Sequence, residues 1–564
     1  MPEKFDDKSS TLFMILRYDN LMSDQDHLNT TQNNNLSHKS DLRSKFRLGG
    51  AIQVAVGIFL SRIMGLVRMR ALAHFLGDSA AGDAFYAALK IPNFPQNLLG
   101  EGVLSASFIP VYANLIAKDK KEEAGQVAGA ILALLAIIVS FIVIFGVWLT
   151  PQFIEIVAPG FDLERKLLTI SLVRIIFPGT GLLVLSAWCL GILNSHGRFF
   201  LSYVAPVVSN ISVIIALILF RHETNLNQLA IYASWGLVLG SLLQFLVQLP
   251  SSLKLINYLK LNLNIKLNSI REILKNFVPV VFSRGVVQLS AYIDSILASY
   301  LPSGAVAVLG YTQAIYMLPI SLFGMSVSAA ELPTMSKSFG DPDFSQRLQK
   351  RINDSSRKIA FFVIPTVAGF LLLGDVIASL LFQTGQFDEQ TSSYVWMVLG
   401  GSAIGLLAST LGRLYSSAFY SLRDTKTPLK YSMIRVFLTT GFGYIAALKL
   451  PVLLSVDLKW GTAFLTASSG FAGWIEFYLL RRKLNQLIGL TGLNIKINVQ
   501  LWGASLISGL VAYLIKDYIN LEVVFIKCAM ILIVFVLIYF PLTLFLGLDE
   551  SKIIFQKIKT KFLK

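Results

Sequence analysis

Long apolar stretches separated by short polar segments run through most of the chain. A helix needs roughly 20 predominantly apolar residues to cross about 30 Å of hydrocarbon. Fourteen stretches meet that requirement, near 50–76, 83–116, 124–149, 167–193, 199–220, 228–249, 272–300, 304–334, 358–383, 392–420, 428–448, 460–480, 499–516 and 522–547. The pattern therefore predicts an all-α polytopic membrane protein with 14 transmembrane helices.

Composition supports a bilayer environment. Of the 564 residues, 54% are apolar and 15% are charged, and the mean hydropathy is +0.63. A soluble protein carries about 25% charged residues, and a disordered one carries few apolar residues. Both classes are excluded for the bulk of the chain. The two cysteines and five histidines form no recognisable spacing, so we expect no disulfide framework, no metal site and no cofactor.

The net charge of +16 would suggest nucleic acid in a soluble protein, but here the basic residues concentrate in alternate loops. The positive-inside rule assigns those loops to the cytoplasm and excludes a nucleic-acid partner. An even number of spans then places both termini in the cytoplasm. Residues 1–49 are polar and lack a cleavable signal pattern, so we expect a disordered cytoplasmic tail.

An internal repeat relates the two halves of the chain. Ser105–Pro110 matches Ser328–Pro333 at an offset of 223, and Ser61-Arg62 matches Ser283-Arg284 at an offset of 222. Because six helices make each unit, both copies have the same orientation. We expect two parallel six-helix lobes with a cleft between them, plus two C-terminal helices. The predicted parts are an N-lobe (50–249), a cytoplasmic linker (250–271), a C-lobe (272–480), and a segment holding helices 13 and 14 and a basic cytoplasmic tail (481–564).

Arg62 and Arg284 are charges at places where the bilayer makes them costly. Each lies about 12 residues, or roughly 18 Å, from the cytoplasmic end of its helix, near the membrane midplane. An arginine there costs on the order of 3 kcal/mol and should face a wet cavity or a partner. Both are candidates for binding an anion. The alternative is neutralisation by a neighbouring acid such as Glu101, Asp294 or Glu331.

The first helix carries further basic residues. Arg68 lies six residues beyond Arg62, and a bend at Gly65 would bring both side chains toward one ligand. For Arg70 and His74, nearer the outer end, we expect contacts with lipid headgroups.

Two helices are broken by proline and glycine. The segment Lys90–Gly102 of the second helix contains two of each, and Pro319 and Gly324 interrupt the eighth helix. Backbone groups freed in this way must be satisfied inside the protein or in a hydrated cavity, so the breaks should face inward. The planar fork of an arginine suits a phosphate, and this favours an anionic substrate over a cationic one.

Several short motifs occur in a fixed order along the chain. They are Ser61–Arg68, Asp83–Phe85, Pro92-Asn93, Glu101-Gly102, Phe108–Pro110, Ala158–Phe161, Pro333–Phe339 and Thr425–Pro428. Together they resemble the MurJ (MviN) family of lipid II flippases, part of the multidrug/oligosaccharidyl-lipid/polysaccharide exporter superfamily. The resemblance runs from about residue 50 to the end.

The resemblance implies a transporter of the bacterial inner membrane that performs no enzymatic reaction. It implies a cationic central cavity and a groove, formed with the last two helices, for a lipid tail. The implied substrate is the undecaprenyl-pyrophosphate-linked disaccharide-pentapeptide, the lipid II precursor of peptidoglycan, which would cross from the cytoplasmic to the outer leaflet by alternating access. A monovalent cation is a further candidate partner.

The functional residues of the family carry over in part. Its first-helix arginines fall on Arg62 and Arg68, and its acid at the start of the second helix falls on Asp83. At the position where the second helix of the family commonly carries an arginine, this chain has Asn97. Lys90 lies in the same broken helix, and both join the substrate-binding candidates.

Two further positions depart from the family pattern, with Met69 in place of an acid and Ala314 in place of an arginine. Our hypothesis is that Arg284 and Asp294 supply the missing charge from the facing lobe. The candidates for ion coupling or ion pairing are Asp83, Glu101 and Asp294.

Other functions remain open at the level of sequence. Within transport, the alternatives are a flippase for another polyprenyl-pyrophosphate oligosaccharide and a cation-coupled exporter. A non-transporting scaffold paralogue for cell-wall enzymes is a third possibility, because some family arginines are lost. A membrane enzyme acting on polyprenyl phosphates would need a metal-binding acid pair or a nucleophile in its loops, and none of the loops offers one.

Overall fold

The computed structural model describes residues 53–54, 56–256, 258–261, 267–337, 343–519 and 521–562. These residues form a bundle of α-helices, and the predicted tail 1–49 lies outside them. In chain order the helices are α1 (56–76), α2 (Ala80–Leu99), α3 (Glu101–Ala117), α4 (Lys121–Trp148), α5 (Thr150–Val157), α6 (Leu163–Ser195), α7 (Phe199–Leu219), α8 (Leu226–Leu253), α9 (Asn268–Ser299), α10 (Ala305–Pro319), α11 (Ser326–Lys337), α12 (Phe344–Phe382), α13 (Glu389–Ser421), α14 (Lys426–Tyr444), α15 (Leu450–Leu453), α16 (Trp460–Ile488), α17 (Ile495–Ile515), α18 (Val524–Phe545) and α19 (Asp549–Phe562).

The described residues of each of the fourteen apolar stretches are mostly helical. Within the described part of the chain, eleven helical segments are long and apolar enough to cross a membrane, judged by length and composition. The other three predicted spans are the more polar helices α1, α9 and α16. Each of these three carries ionisable side chains within its length, which lowers its mean hydropathy.

The expected interruptions are found in part. Helix α2 ends at Leu99 and α3 starts at Glu101, with extended backbone at Gly100 between them. In the eighth apolar stretch, α10 ends at Pro319 and continues as a π-helical segment, Ile320–Met325. Proline removes a backbone donor and crowds the preceding turn, which favours the change to π-helical geometry after Pro319. Pro92 and Pro95 do not interrupt α2, which continues through both of them to Leu99.

Apolar side chains pack into separate clusters along the bundle. Two clusters are built almost wholly from α1–α8, and each contains a large buried ring, Trp188 in one and Phe85 in the other. The largest cluster is built mainly from α9–α16 and is centred on residues such as Tyr415 and Phe361. We refer below to α1–α8 as the N-terminal set and to α9–α16 as the C-terminal set.

The last long helices pack on the C-terminal set. Both α17 and α18 contact α12. The hydroxyl of Tyr539 in α18 donates to the carbonyl of Phe361 in α12 over 2.7 Å. Cys189 and Cys528 are both free thiols in buried positions, far apart in sequence and in different clusters.

Candidate functional site

A cavity of about 520 Å³, lined by both apolar and polar residues, lies where α2 of the N-terminal set meets the C-terminal set. Helix α2 contributes Tyr86, Lys90 and Asn93, and α9 contributes Asp294 and Ser295. Other polar lining residues come from α10, α13, α14 and α16, namely Gln313, Tyr316, Ser402, Ser432, Arg435, Thr466, Ser469 and Glu476. The cavity therefore draws its wall from both sets, as a site that opens and closes between them requires.

The charges that line the cavity balance. Arg435 Nη1 and Glu476 Oε2 form an ion pair across α14 and α16 at 3.1 Å. Asp294 lies close enough to Lys90 and to Arg435 to interact with both charges. Among the described lining residues there are thus two cations and two carboxylates. The expectation of a cationic cavity is not met in this part of the site, because each positive group has an acid beside it.

Part of the cavity wall has no internal hydrogen-bond partner. Asp294 Oδ1 and Ser295 Oγ are buried, and neither is hydrogen-bonded to any residue that the structure describes. Buried polar groups are nearly always satisfied, so an unsatisfied pair that lines a cavity marks a place where water or a ligand binds.

The sequence candidates are distributed unevenly around this cavity. Lys90 and Asp294 line it. Arg62 and Asn97 have exposed side chains and are not among its lining residues, and Glu101 is exposed in the first turn of α3. In a membrane protein an exposed side chain of this kind faces lipid or water, and the water can be that of an open cleft.

Arg68 lies behind the cavity wall. Its Nε is buried and has no hydrogen-bond partner within the described chain, and its charge interacts with Tyr86, whose side chain lines the cavity. Arg284 falls within α9, but its side chain lies outside the described part of the structure. The expectation that Arg62 and Arg284 both bind an anion therefore stays a prediction.

The two sets are held together at one end of the bundle by a network that we call the polar clasp. It joins the end of α1 and the start of α2 to residues 304–311 and 380–391. Arg70 Nη1 donates to the carbonyls of Leu380 and Leu381 over 2.9 and 2.7 Å. His74 Nδ1 lies 2.9 Å from Thr384 Oγ1. Arg70 Nη1 and His74 Nδ1 therefore bind partners in α12 and the following turn, an interaction that the expectation of headgroup contacts did not include.

Further bonds close the clasp. The backbone N–H of Gln386 donates to the carbonyl of His74 over 2.8 Å. Tyr311 OH donates to the carbonyl of Gly77 over 2.9 Å, and Thr391 Oγ1 donates to Asp78 Oδ1 over 3.1 Å.

Asp83 is the best-satisfied charge in the clasp. Its Oδ2 accepts the N–H of Gly304 over 2.7 Å, and its Oδ1 accepts the N–H of Ala307 over 2.8 Å. Gly304 immediately precedes α10 and Ala307 lies in its first turn, so a carboxylate of the N-terminal set caps a helix of the C-terminal set. Arg165 Nη1 lies 3.5 Å from the same carboxylate. Asp83 is only 1% exposed and does not line the cavity.

Arg165 also joins Asp83 to the start of α6. Its Nε lies 2.7 Å from Asp162 Oδ2. Its backbone N–H donates to Asp162 Oδ1, and this bond holds the pKa of that exposed carboxyl below its usual value. The arginine therefore bridges a buried acid and a surface acid.

Sequence reasoning missed Arg435 and Glu476. Both lie inside predicted spans, 428–448 and 460–480, and the rule that an ionisable residue within the membrane marks a functional position applies to them as it does to Arg62. Within the described part of the chain, no group of three or more His, Cys, Asp or Glu side chains is placed to hold a metal ion.

Comparisons with known proteins give one consistent result. The profile of the family described as "Lipid II flippase MurJ" matches residues 72–535. A Rickettsia prowazekii protein named "Probable lipid II flippase MurJ" is 29% identical over 494 residues, covering 86% of this chain and 94% of that protein. A Buchnera aphidicola protein of the same name is 30% identical over 442 residues, covering 78% and 83%.

Solved structures agree on the fold. A structure described as "Lipid II flippase MurJ, inward closed conformation" superposes with a TM-score of 0.71 at 25% identity, covering 87% of this chain and 98% of the other. An inward-facing multidrug resistance MATE family transporter of the MOP superfamily superposes with a TM-score of 0.62 at 19% identity, covering 78% and 98%. The second likeness concerns the fold alone.

Proposed function

The chain belongs to the MurJ family of lipid II flippases, and from that premise we propose that it moves the headgroup of lipid II from the cytoplasmic leaflet to the outer leaflet. The observation that carries the proposal is the polar cavity between the two sets of helices, closed at one end by the clasp. A cavity of this kind, opened alternately at each end, is what transport of a polar headgroup requires. Moving a headgroup breaks no covalent bond, so this is a transporter and not an enzyme.

The proposed architecture has 14 transmembrane helices. We assign helices 1–6 to an N-lobe (50–249) and helices 7–12 to a C-lobe (272–480), joined by a cytoplasmic linker (250–271). Helices 13 and 14 follow in 481–564, with a basic cytoplasmic tail. The internal sequence repeat and the separate apolar clusters support this division. The protein would lie in the bacterial inner membrane with both termini in the cytoplasm, which puts the polar clasp on the outer side.

The cavity would bind the polar headgroup. Lys90 and Arg435 are placed to donate to phosphate or carboxylate oxygens, and Asp294 and Glu476 to accept from hydroxyl, amide or ammonium groups. A volume of about 520 Å³ falls within the range of roughly 300–1,000 Å³ that holds drug-sized ligands. A disaccharide-pentapeptide with a pyrophosphate is larger than such ligands, so the two sets must separate to admit it.

Separation toward the cytoplasm would bring further residues into the site. Arg62, Arg68, Arg284 and Asn97 lie on the cytoplasmic side of the clasp in our topology, and we propose that they contact the pyrophosphate and sugars as the cleft widens. The polyprenyl tail would stay in lipid beside helices 13 and 14. Asp83 would hold the outer end closed, which leaves Glu101 and Asp294 as the candidates for coupling to a monovalent cation.

Return to the outward-open state would require the clasp to break. Its contacts join the two sets directly, so they cannot persist when the outer end opens. The membrane potential acts on mobile charge with about 2.3 kcal/mol per elementary charge per 100 mV. The charges that line the cavity nearly cancel. The effect of the membrane potential on the opening and closing of the cavity therefore depends mainly on the charge of the bound headgroup.

Complementation with a transport readout tests the proposal. The host's own lipid II flippase is depleted, this chain is expressed, and labelled lipid II is detected with a probe that reaches only the outer face. We expect growth to return and outer-face lipid II to rise, and we expect Lys90→Gln/Arg435→Gln to abolish both. The matched control is Lys426→Gln/Lys430→Gln, which removes two exposed charges outside the cavity. A well-expressed chain that restores neither growth nor labelling contradicts the proposal and favours a scaffold or a different lipid-linked substrate.

A further inference from the structure

The C-terminal helix α19 is not explained by the transport site. It follows the apolar helix α18, which ends at Phe545, after a short turn in which Gly547 has a φ of +77°. Because α18 is long and apolar enough to span the membrane, α19 must start at or near the membrane surface.

The start of α19 is fixed to α12. Arg357 Nη2 lies 2.8 Å from Asp549 Oδ2, and its Nε lies 2.7 Å from Glu550 Oε1. Leu548 and Ser551 are both 3% exposed. The helix therefore leaves the bundle in a fixed direction, with its acidic first turn against the protein.

Beyond this first turn α19 changes character. Phe555 is 54% exposed, and Lys552, Lys557 and Lys559 are exposed as well. Along the sequence, apolar residues recur at 554, 555, 558 and 562, the spacing of one helical face, with lysines between them. Ile554 packs against the large apolar cluster of the C-terminal set, whereas Ile553 and Phe555 are exposed. The result is an amphipathic, cationic helix that presents exposed apolar side chains beyond its first turn.

We propose that α19 lies in the membrane interface and binds the headgroups of anionic phospholipids. A helix of this composition buries its apolar face at the boundary of the acyl chains, while flanking lysines reach the phosphates. Each lysine near an anionic surface contributes about 1 kcal/mol, and salt screens the effect. The positive charge of α19 favours an acidic lipid surface over a second copy of this protein, because the protein is itself strongly basic. The proposal does not depend on which substrate is transported.

The test uses the full chain, one copy per lipid nanodisc, with the native cysteines replaced by serine. The environment-sensitive dye NBD is attached at Phe555→Cys or, as a matched control one residue away, at Gln556→Cys, whose position points to the polar face. In discs of phosphatidylcholine with phosphatidylglycerol we expect a blue shift and increased intensity at position 555 and little change at 556. In discs of phosphatidylcholine alone the shift at 555 should largely disappear.

Charge variants isolate the role of the lysines. Lys557→Gln/Lys559→Gln should weaken docking by about thirtyfold, given about 1 kcal/mol for each lysine. Docking is followed by titration with phosphatidylglycerol or with salt. Lys426→Gln/Lys430→Gln removes the same charge elsewhere and should leave the signal unchanged. Glutamine keeps the helix propensity close to that of lysine, so loss of helix would not explain the result.

Three outcomes would overturn the proposal. The first is a signal at position 555 that is the same with and without phosphatidylglycerol. The second is a titration that the lysine substitutions leave unaltered. The third is a signal that appears only with two copies per disc, which would identify the exposed face as a contact between chains.

Discussion

The polar clasp and the cavity lie on the same boundary between the N-terminal and C-terminal sets, yet they treat their acids in opposite ways. In the clasp, both oxygens of Asp83 accept backbone N–H groups at 2.7 and 2.8 Å. In the cavity, Asp294 Oδ1 is buried and has no hydrogen-bond partner within the described chain. Both acids come from helices that line the boundary, so burial alone does not distinguish them.

The difference indicates what each region is for. A buried carboxylate that accepts backbone hydrogen bonds stabilises the arrangement that supplies them, which here is the closed clasp. A buried carboxylate without such bonds costs stability and persists where function requires it. Removal of Asp83 should therefore destabilise the closed protein, whereas removal of Asp294 should leave its stability unchanged or raise it.

The largest effect is expected for Asp83→Ala. The substitution leaves the N–H groups of Gly304 and Ala307 without their acceptor and removes one of the two acids beside Arg165, at a cost of about 3 kcal/mol to the closed state. Thermal unfolding can be followed with a thiol-reactive fluorophore, because the native thiols of Cys189 and Cys528 are buried and react only on unfolding. We expect a clear fall in the unfolding temperature and a loss of lipid II transport.

Asp162→Ala is the control for this variant. It removes an exposed acid that pairs with the same Arg165 and caps α6, and should cost about 1 kcal/mol, the usual effect of losing a cap. Equal destabilisation by the two variants would contradict the view that Asp83 holds the two sets together.

A backbone substitution in the clasp should have the next largest effect. Gly304 has a φ of +93°, and a Cβ atom there would lie 2.5 Å from the carbonyl oxygen of Asp78. We expect Gly304→Ala to destabilise by about 2 kcal/mol, since both the left-handed backbone and the contact resist a side chain. Gly441→Ala is the control, because nothing lies within 4 Å of its added Cβ. The same thiol-accessibility assay compares the two, and a neutral Gly304→Ala would mean that this end is loosely packed.

The clasp also shows where reading the sequence alone reaches its limit. Runs of apolar residues predicted the helices, and glycine and proline residues within them indicated where a helix is interrupted. Both signals depend only on residues that are neighbours in the sequence. The contacts of Arg70, His74 and Asp83 join residues more than 200 positions apart, and no local pattern specifies such partners. Lys90 was predicted because it lies in a helix interrupted by proline and glycine, and Asp294 because an acid in a span could balance a nearby arginine. Asn97 was chosen by comparison with the family pattern and Glu101 as an acid near the midplane arginines, and neither criterion says which way a side chain points.

Inside the cavity, the ion pair between Arg435 and Glu476 offers an intermediate case. Their side chains are 29% and 15% exposed, so loss of one partner should cost about 1.5 kcal/mol, less than for a fully buried pair. We expect Arg435→Gln and Glu476→Gln each to lower the unfolding temperature and the double variant to recover most of the loss. Transport should fail in all three. If the double variant regains transport together with stability, the pair is structural and does not contact the substrate.

The smallest effect on stability is expected for Asp294→Asn. The contrast with the same substitution at the clasp, Asp83→Asn, should be the clearest test of the difference between the two regions. An amide of the same shape removes a buried negative charge whose Oδ1 has no hydrogen-bond partner in the described structure, so stability should stay the same or rise by less than about 1 kcal/mol. The same change at the clasp, Asp83→Asn, replaces one acceptor oxygen by a donor facing an N–H group and must destabilise. Transport should fall in both variants, for opposite reasons. The unfolding temperature, measured beside outer-face labelling of lipid II, separates them. If Asp294→Asn unfolds as early as Asp83→Asn, the acid in the cavity is held by partners as firmly as the acid in the clasp, and the distinction between the two regions is wrong.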